Sequence, residues 1–208
     1  RADVEEQLGI SLSDPVLLIT FHPETGQVDT DACAQMSELL AALQAVDATL
    51  VFTLPNADVG GRSLFELITA FVAKNPTRAC VRASLGQSLY LSVLAISAGV
   101  VGNSSSGLLE APAFGVGTVN IGSRQRGRLK AASVIDCAAE RDAMREAIAL
   151  LINPETRARN RSGIQHPYGQ GGAAERTVAV LEQWEPRCGN KLFYDLNAIS
   201  EEMEREAV

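Results

Sequence analysis

The feature that most constrains this chain is a repeated alternation, in which short, wholly apolar runs are followed by stretches with apolar residues at helical spacing. Val16-Leu17-Leu18-Ile19-Thr20-Phe21 follows Pro15 and stops at His22-Pro23. A run this short and this apolar reads as a strand covered on both faces, and Pro23 lacks the N–H that a ladder needs. Met36, Leu39, Leu40, Leu43 and Val46 then fall on one helical stripe, with Asp29 or Thr30 placed to cap its start. A second strand at 49–54 is stopped by Pro55, and Leu64, Leu67, Ile68 and Phe71 form the next stripe.

The same rhythm predicts a weaker strand at 78–84, a short helix at 87–96 and a fourth strand ending at Gly102. A helix at 106–113, a fifth strand at 118–121, a sixth at Val134-Ile135 and helices at 139–152 and 173–184 complete it. Strands separated by single helices imply right-handed βαβ units, so the fold class is α/β, with a doubly wound, mainly parallel, Rossmann-like sheet. Such sheets bind ligands beyond the carboxyl ends of their strands. His22, Asn56, Leu85, Asn103 to Ser105 and Gly122 to Arg124 all fall at expected strand exits.

Composition narrows the partners. With 18 basic against 25 acidic side chains, the chain lacks the basic footprint of a nucleic-acid binder. No stretch approaches the ~20 apolar residues that cross a bilayer, so no membrane partner is expected. The cysteines Cys33, Cys80, Cys137 and Cys188 stand far apart with no C-x-x-C pair, which argues for buried free thiols, no metal and a reducing cytoplasm. Arg1 leads into Asp3, Glu5 and Glu6 rather than a basic-then-apolar leader, and the missing initiator Met suggests a piece of a longer protein.

Several motifs carry candidate chemistry, each with a plainer reading beside it. Gly102-Asn103-Ser104-Ser105-Ser106-Gly107 joins a strand to a helix, where backbone N–H groups and serine hydroxyls suit phosphate. Serine is equally a favoured helix cap. Glu110, about a turn and a half along the same expected helix, is either an acceptor for a ribose diol or a solvated carboxylate. His22 can donate to phosphate or move a proton, yet a lone histidine is often structural. Asn56 and Asp58 sit in a turn leading to Gly60-Gly61-Arg62, and turns favour such residues anyway. Arg124, Arg126 and Arg128 form either a phosphate clamp or a solvated loop. Gly169-Gln170-Gly171-Gly172 is a weak anion-cradle signal.

Five stretches together resemble one family, the hydrolysing UDP-N-acetylglucosamine 2-epimerases of sialic-acid and related nonulosonate synthesis. They are Thr20 to Thr25, Phe52 to Asp58, Val101 to Pro112, Val119 to Leu129 and Pro167-Tyr168-Gly169, in order over most of the chain. The resemblance implies one half of a GT-B-type two-domain architecture, namely the C-terminal, UDP-binding half, over residues 1–190. A C-terminal helix at 191–208, with Leu192, Phe193, Leu196 and Ile199 at helical spacing, would then pack on the absent N-terminal domain.

By the same resemblance His22, Ser104, Ser105 and Arg124 would lie at the phosphates, with His22 the one candidate catalytic group. Glu110 would hold the ribose, Asn56 and the Leu85 backbone would lie near the nucleoside, and Arg62 would occupy a regulatory position. The implied reaction eliminates UDP through a 2-acetamidoglucal and then adds water to give N-acetylmannosamine, without a cofactor. Implied partners are a UDP-sugar, the missing N-terminal domain and further copies of the protein in a homo-oligomer. The chain departs from the family pattern at His166, where asparagine is more usual. Rival readings are an epimerase for a UDP-2,4-diacetamido-2,4,6-trideoxy sugar, a GT-B glycosyltransferase, or a nucleotide-binding module without activity.

Overall fold

The computed structural model describes residues 1–23, 31–55, 61–169 and 171–185. Asn56, Asp58, Cys188 and the helix expected at 191–208 lie outside the described residues. The apolar runs become six parallel strands: β1 (Val16–Thr20), β2 (Thr49–Thr53), β3 (Ala79–Arg82), β4 (Gly99–Gly102), β5 (Gly117–Ile121) and β6 (Val134–Cys137). Their order is β3-β2-β1-β4-β5-β6, so the chain reverses its direction of travel between β1 and β4. That is the doubly wound Rossmann order, with its switch point at the centre of the sheet.

Alternation within each strand divides the core into two layers. From β1, Leu17 and Ile19 join Leu50, Phe52, Val101 and Val119 on one face. Val16 and Leu18 join Val51 and Val100 on the other. The first face is covered by α2 (Ala32–Gln44), α3 (Gly61–Lys74) and α6 (Arg141–Ile152), through stripes that include Met36, Leu39, Leu64, Ile68, Met144 and Ile148. The second is covered by α1 (Ala2–Leu8) and α4 (Gly86–Ile96), through Val4, Leu8, Val93 and Leu94. Phe52 and Phe71 meet edge to face with centroids 5.8 Å apart, a geometry their ring quadrupoles favour.

Local chemistry sets the ends. Asp31 caps α2, its carboxylate accepting from the N–H groups of Cys33 and Ala34, in place of the expected Asp29 or Thr30. The helix expected at 106–113 is in fact one α-turn, α5 (Ser106–Leu109), followed by a 3-10 turn at Ala111–Phe114. Pro112 explains the break, because it has no N–H to donate and its ring opposes the carbonyl four residues back. Glu110 therefore stands at a junction rather than along a helix. The strands and the helices up to α7 (Pro154–Ser162) form one unit, Arg1–Gly169. A second unit begins at Gln170, and its described part contains α8 (Ala173–Gln183).

Candidate functional site

Strand register brings one row of residues level across the carboxyl edge of the sheet. Arg82, Thr53, Thr20, Gly102, Asn120 and Asp136 are partners in turn. Five of the six carry polar side chains, against mostly apolar residues behind them, and two neighbouring pairs bond along the row. Thr20 Oγ1 and Thr53 Oγ1 lie 2.7 Å apart, and Asn120 Nδ2 donates to Asp136 at 2.7 Å. Just beyond this row, at the β1/β4 switch point, lies a cleft of about 700 Å³.

Four exits supply its walls. Thr20 and His22 come from β1, and Thr53 and Pro55 from β2. Leu85, Gly86 and Gln87 come from the start of α4, with Tyr90 and Leu91 a turn later. Ser104, Ser106 and Glu110 come from the serine turn. The cleft thus gathers His22, Leu85, Ser104 and Glu110 from the sequence-derived candidates. Gly86 has φ +63, a left-handed conformation that favours glycine, and its N–H is held by Ser84 Oγ at 3.1 Å. This turn sets the 11-residue α4 with its N-terminus at the cleft, where unsatisfied N–H groups favour acceptors and negative charge.

Tyr90 was not legible as a site residue, yet it lines the cleft beside Ser106 of the serine turn. Their hydroxyls lie 2.5 Å apart, tying α4 to the serine turn. Burial pushes the Tyr90 phenol up from its ordinary value; the Ser106 bond opposes this and the Glu110 charge adds to it. Partial burial likewise pushes the Glu110 carboxyl up, because the ionised form loses hydration. An acceptor of that kind gains more from a donor pair than a fully solvated one does.

The other candidates fall elsewhere. Ser105 starts α5, its carbonyl accepting from the N–H groups of Leu108 and Leu109, and does not line the cleft. Asn103 is buried and turned inward: its amide bonds the main chain of His22. Of the arginines after β5, Arg124 and Arg126 meet different neighbours. Arg124 donates to the Asn103 carbonyl at 3.1 Å, whereas Arg126 lines a separate hollow with Lys130 and Asp136. Arg62 is exposed at the start of α3 and faces Glu66 at 3.6 Å. Cys33, Cys80 and Cys137 are free thiols, and among the described residues no cluster of His, Cys, Asp or Glu could hold a metal ion.

His166 has a structural place that its rarity alone did not reveal. The Tyr168 N–H donates to His166 Nδ1 at 3.1 Å, so Nε2 carries the proton and donates to the Leu109 carbonyl at 2.8 Å. The Tyr168 hydroxyl donates to the Leu129 carbonyl at 3.0 Å. The 166–168 segment is therefore latched to both the serine turn and the loop after β5.

Comparison with known proteins agrees with this fold. The protein-family model described as UDP-N-acetylglucosamine 2-epimerase matches residues 1–182. A hydrolysing GDP/UDP-N,N'-diacetylbacillosamine 2-epimerase of Campylobacter jejuni is 37% identical over 137 residues, covering 65% of this chain and 35% of the relative. The Escherichia coli polysialic acid biosynthesis protein P7 is 32% identical over 200 residues, covering 94% of this chain and 50% of the relative. Among solved structures, the S. aureus MnaA–UDP co-structure superposes with a TM-score of 0.65 at 17% identity, over 88% of this chain and 48% of that one, which shows the shared fold. The chain spans about half the length, or less, of these relatives. A family match over nearly the whole described chain, on a doubly wound sheet with its cleft at the switch point, establishes that the chain belongs to the UDP-N-acetylglucosamine 2-epimerase family.

Proposed function

We propose that this chain is the UDP-holding half of a hydrolysing UDP-N-acetylglucosamine 2-epimerase. The observation that carries the reading is the cleft at the β1/β4 switch point, where Ser104, His22 and Glu110 converge beside the start of α4. The serine hydroxyl, the histidine and nearby N–H groups suit a diphosphate. Glu110 suits the two ribose hydroxyls, and the backbone at Leu85 suits the edge of a uracil ring. Asn56, together with Ser105 and Arg124, which adjoin the cleft rather than line it, completes the proposed set, and Arg62 is kept as a regulatory candidate.

In the proposed reaction a general base takes the C2 proton, the C1–O bond breaks, and UDP leaves with the bonding pair. The resulting 2-acetamidoglucal then takes hydroxide at C1 and a proton at the opposite face of C2, giving N-acetylmannosamine. This chain's part is to bind the leaving group and to stabilise the charge that grows on it. The proton-moving groups are assigned to a second domain, a division supported by the half-length match to relatives. The name of the Campylobacter relative supports a second substrate, a UDP-linked diacetamido sugar, which would use the same grip on UDP. The E. coli relative's name supports a place in the supply of sialic acid or a related nonulosonate. The reading includes a cytoplasmic, homo-oligomeric enzyme that needs no cofactor.

The test is to incubate the protein that carries this chain with each UDP-sugar. Release of UDP together with the free, 2-epimerised sugar is expected. Transfer of the sugar to an acceptor, or release of the unepimerised sugar, would overturn the reading.

A further inference from the structure

Behind the residues that line the cleft, the main chain of His22 is bonded by a side chain that is not itself part of the lining. Asn103 is fully buried at 0% exposure, and its side-chain amide takes both main-chain groups of one residue. Its Oδ1 accepts from the His22 N–H at 2.7 Å, while its Nδ2 donates to the His22 carbonyl at 2.8 Å. An amide presents one acceptor and two donors at fixed separation, so this pairing fixes the His22 backbone in both position and orientation. Asn103 reaches it because Gly102 below lets the strands approach closely. A Cβ on Gly102 would stand 2.0 Å from the Thr20 carbonyl oxygen, and its φ is +141. The Asn103 N–H completes the seam by donating to that same oxygen at 3.2 Å.

The Asn103 carbonyl is engaged as well. Gln125 Nε2 donates to it at 2.7 Å and Arg124 at 3.1 Å. Gln125 is 1% exposed, and its Oε1 is buried without a partner among the described residues. Its amide is thus held in place by one bond, the bond to Asn103. Three strand exits, those of β1, β4 and β5, are joined through a single asparagine.

We propose that Asn103 and Gln125 are positioning residues, a buried joint that holds His22 and Arg124 in register for the diphosphate. The proposal rests on the reading of the cleft as a UDP site. Neither side chain lines that cleft; Asn103 acts through the His22 main chain, and Gln125 through the Asn103 carbonyl that it shares with Arg124. Loss of the Asn103 amide lets the His22 backbone drift from the phosphate end, and loss of the Gln125 bond loosens the Asn103 carbonyl that Arg124 shares, while the nucleoside end, built from α4 and Glu110, keeps its shape.

The experiment compares UDP with uridine on the 208-residue chain by amide-resolved NMR titration, which reads weak as well as tight binding. Asn103→Ala should weaken UDP tenfold or more, change uridine by less than twofold, and speed exchange of the His22 amide at least a hundredfold. Gln125→Met removes the buried, unpartnered oxygen and should keep or raise the unfolding temperature while weakening UDP about fivefold, again sparing uridine. If Asn103→Ala does not fold, Gln125→Met alone decides. Folded variants whose UDP-to-uridine ratio matches the parent's, or which lose both ligands equally, would overturn the joint alone. A parent chain that binds uridine no worse than UDP would overturn the reading of the cleft, and this proposal with it.

Discussion

Replacing Gly107 by alanine should damage the chain, and a second, otherwise harmful substitution should repair it. A Cβ on Gly107 would stand 2.5 Å from Thr118 Cγ2, 3.2 Å from its Oγ1 and 3.4 Å from its Cβ. Carbon atoms rest near ~3.5–4.0 Å, so the methyl group of Thr118 must move by about 1 Å. Rotating the threonine is not a free escape, because its Oγ1 donates to the Gly107 carbonyl at 2.7 Å and the residue is 2% exposed. Overpacking of this kind costs about 1–3 kcal/mol, against which alanine's better helix propensity returns about 0.5–1 kcal/mol. Gly107→Ala should therefore lose about 1–2 kcal/mol, a fall of roughly 2–8 °C in unfolding temperature for a domain of this size. Thr118→Ser deletes the offending methyl but keeps the hydroxyl, and alone costs about 1 kcal/mol for the space it leaves. In the double variant the new methyl fills that space, and stability should return to within about 0.5 kcal/mol of the parent. Urea and thermal unfolding of the four proteins give the coupling energy, expected at about 2 kcal/mol. Simple additivity of the two losses would refute the packing argument for the serine turn.

Other outcomes follow from the charges and thiols. The raised Glu110 carboxyl means that stability from its neutral form is present below the ordinary carboxylate range and is lost as pH rises through the folded value. Glu110→Gln should accordingly unfold at a higher temperature than the parent at neutral pH, yet bind UDP about 10- to 100-fold more weakly, since a bond to a charged acceptor contributes about 1.5–3 kcal/mol. A variant that loses stability and keeps affinity would contradict both halves. Burial, and secondarily the Asp136 charge, pushes the Cys137 thiol up to about 11. At pH 8 roughly one such thiol in a thousand is ionised, so iodoacetamide should label Cys137 far more slowly in the folded chain than in urea. Asp136→Asn should speed that labelling only in part, because burial is the larger cause; full release would show the order of causes to be reversed.

The sheet was legible because β1, β2 and β4 are apolar runs long enough to name and short enough not to be helices. Their division between two faces follows from alternation alone, as Leu17 and Leu18 show by joining opposite layers. Two helices left no apolar stripe to find. Among its seven residues α1 buries only Val4 and Leu8, and α7 buries Thr156 and Asn160. The signal for α7 was capping rather than periodicity: Asn153 accepts from the N–H groups of Glu155 and Thr156, and Pro154 occupies the first helical position. Pro112 was likewise the visible sign that the helix after the serine turn would stop before Glu110.

Residue type and strand-exit position were enough to name His22, Leu85 and Ser104, and spacing from the serine turn to name Glu110, all of which line one cleft. These signals could not separate Ser104 and Ser106, which line the cleft, from Ser105, which starts a helix between them. Nor could they tell that Asn103 faces inward and Arg124 toward its carbonyl, since those directions depend on how closely β4 approaches β1. Tyr90 was hidden for a similar reason: it lies on a helix whose other residues read as ordinary core.

The central claim is that the cleft at the β1/β4 switch point holds UDP, and calorimetric titration of the 208-residue chain tests it most directly. UDP should bind with measurable heat and saturate one site, UDP-N-acetylglucosamine should compete for it, and a chain carrying both Ser104→Ala and Glu110→Gln should show at least a hundredfold loss while remaining folded. Absence of binding to the parent chain, or UDP binding unchanged by the paired substitution, would contradict the account.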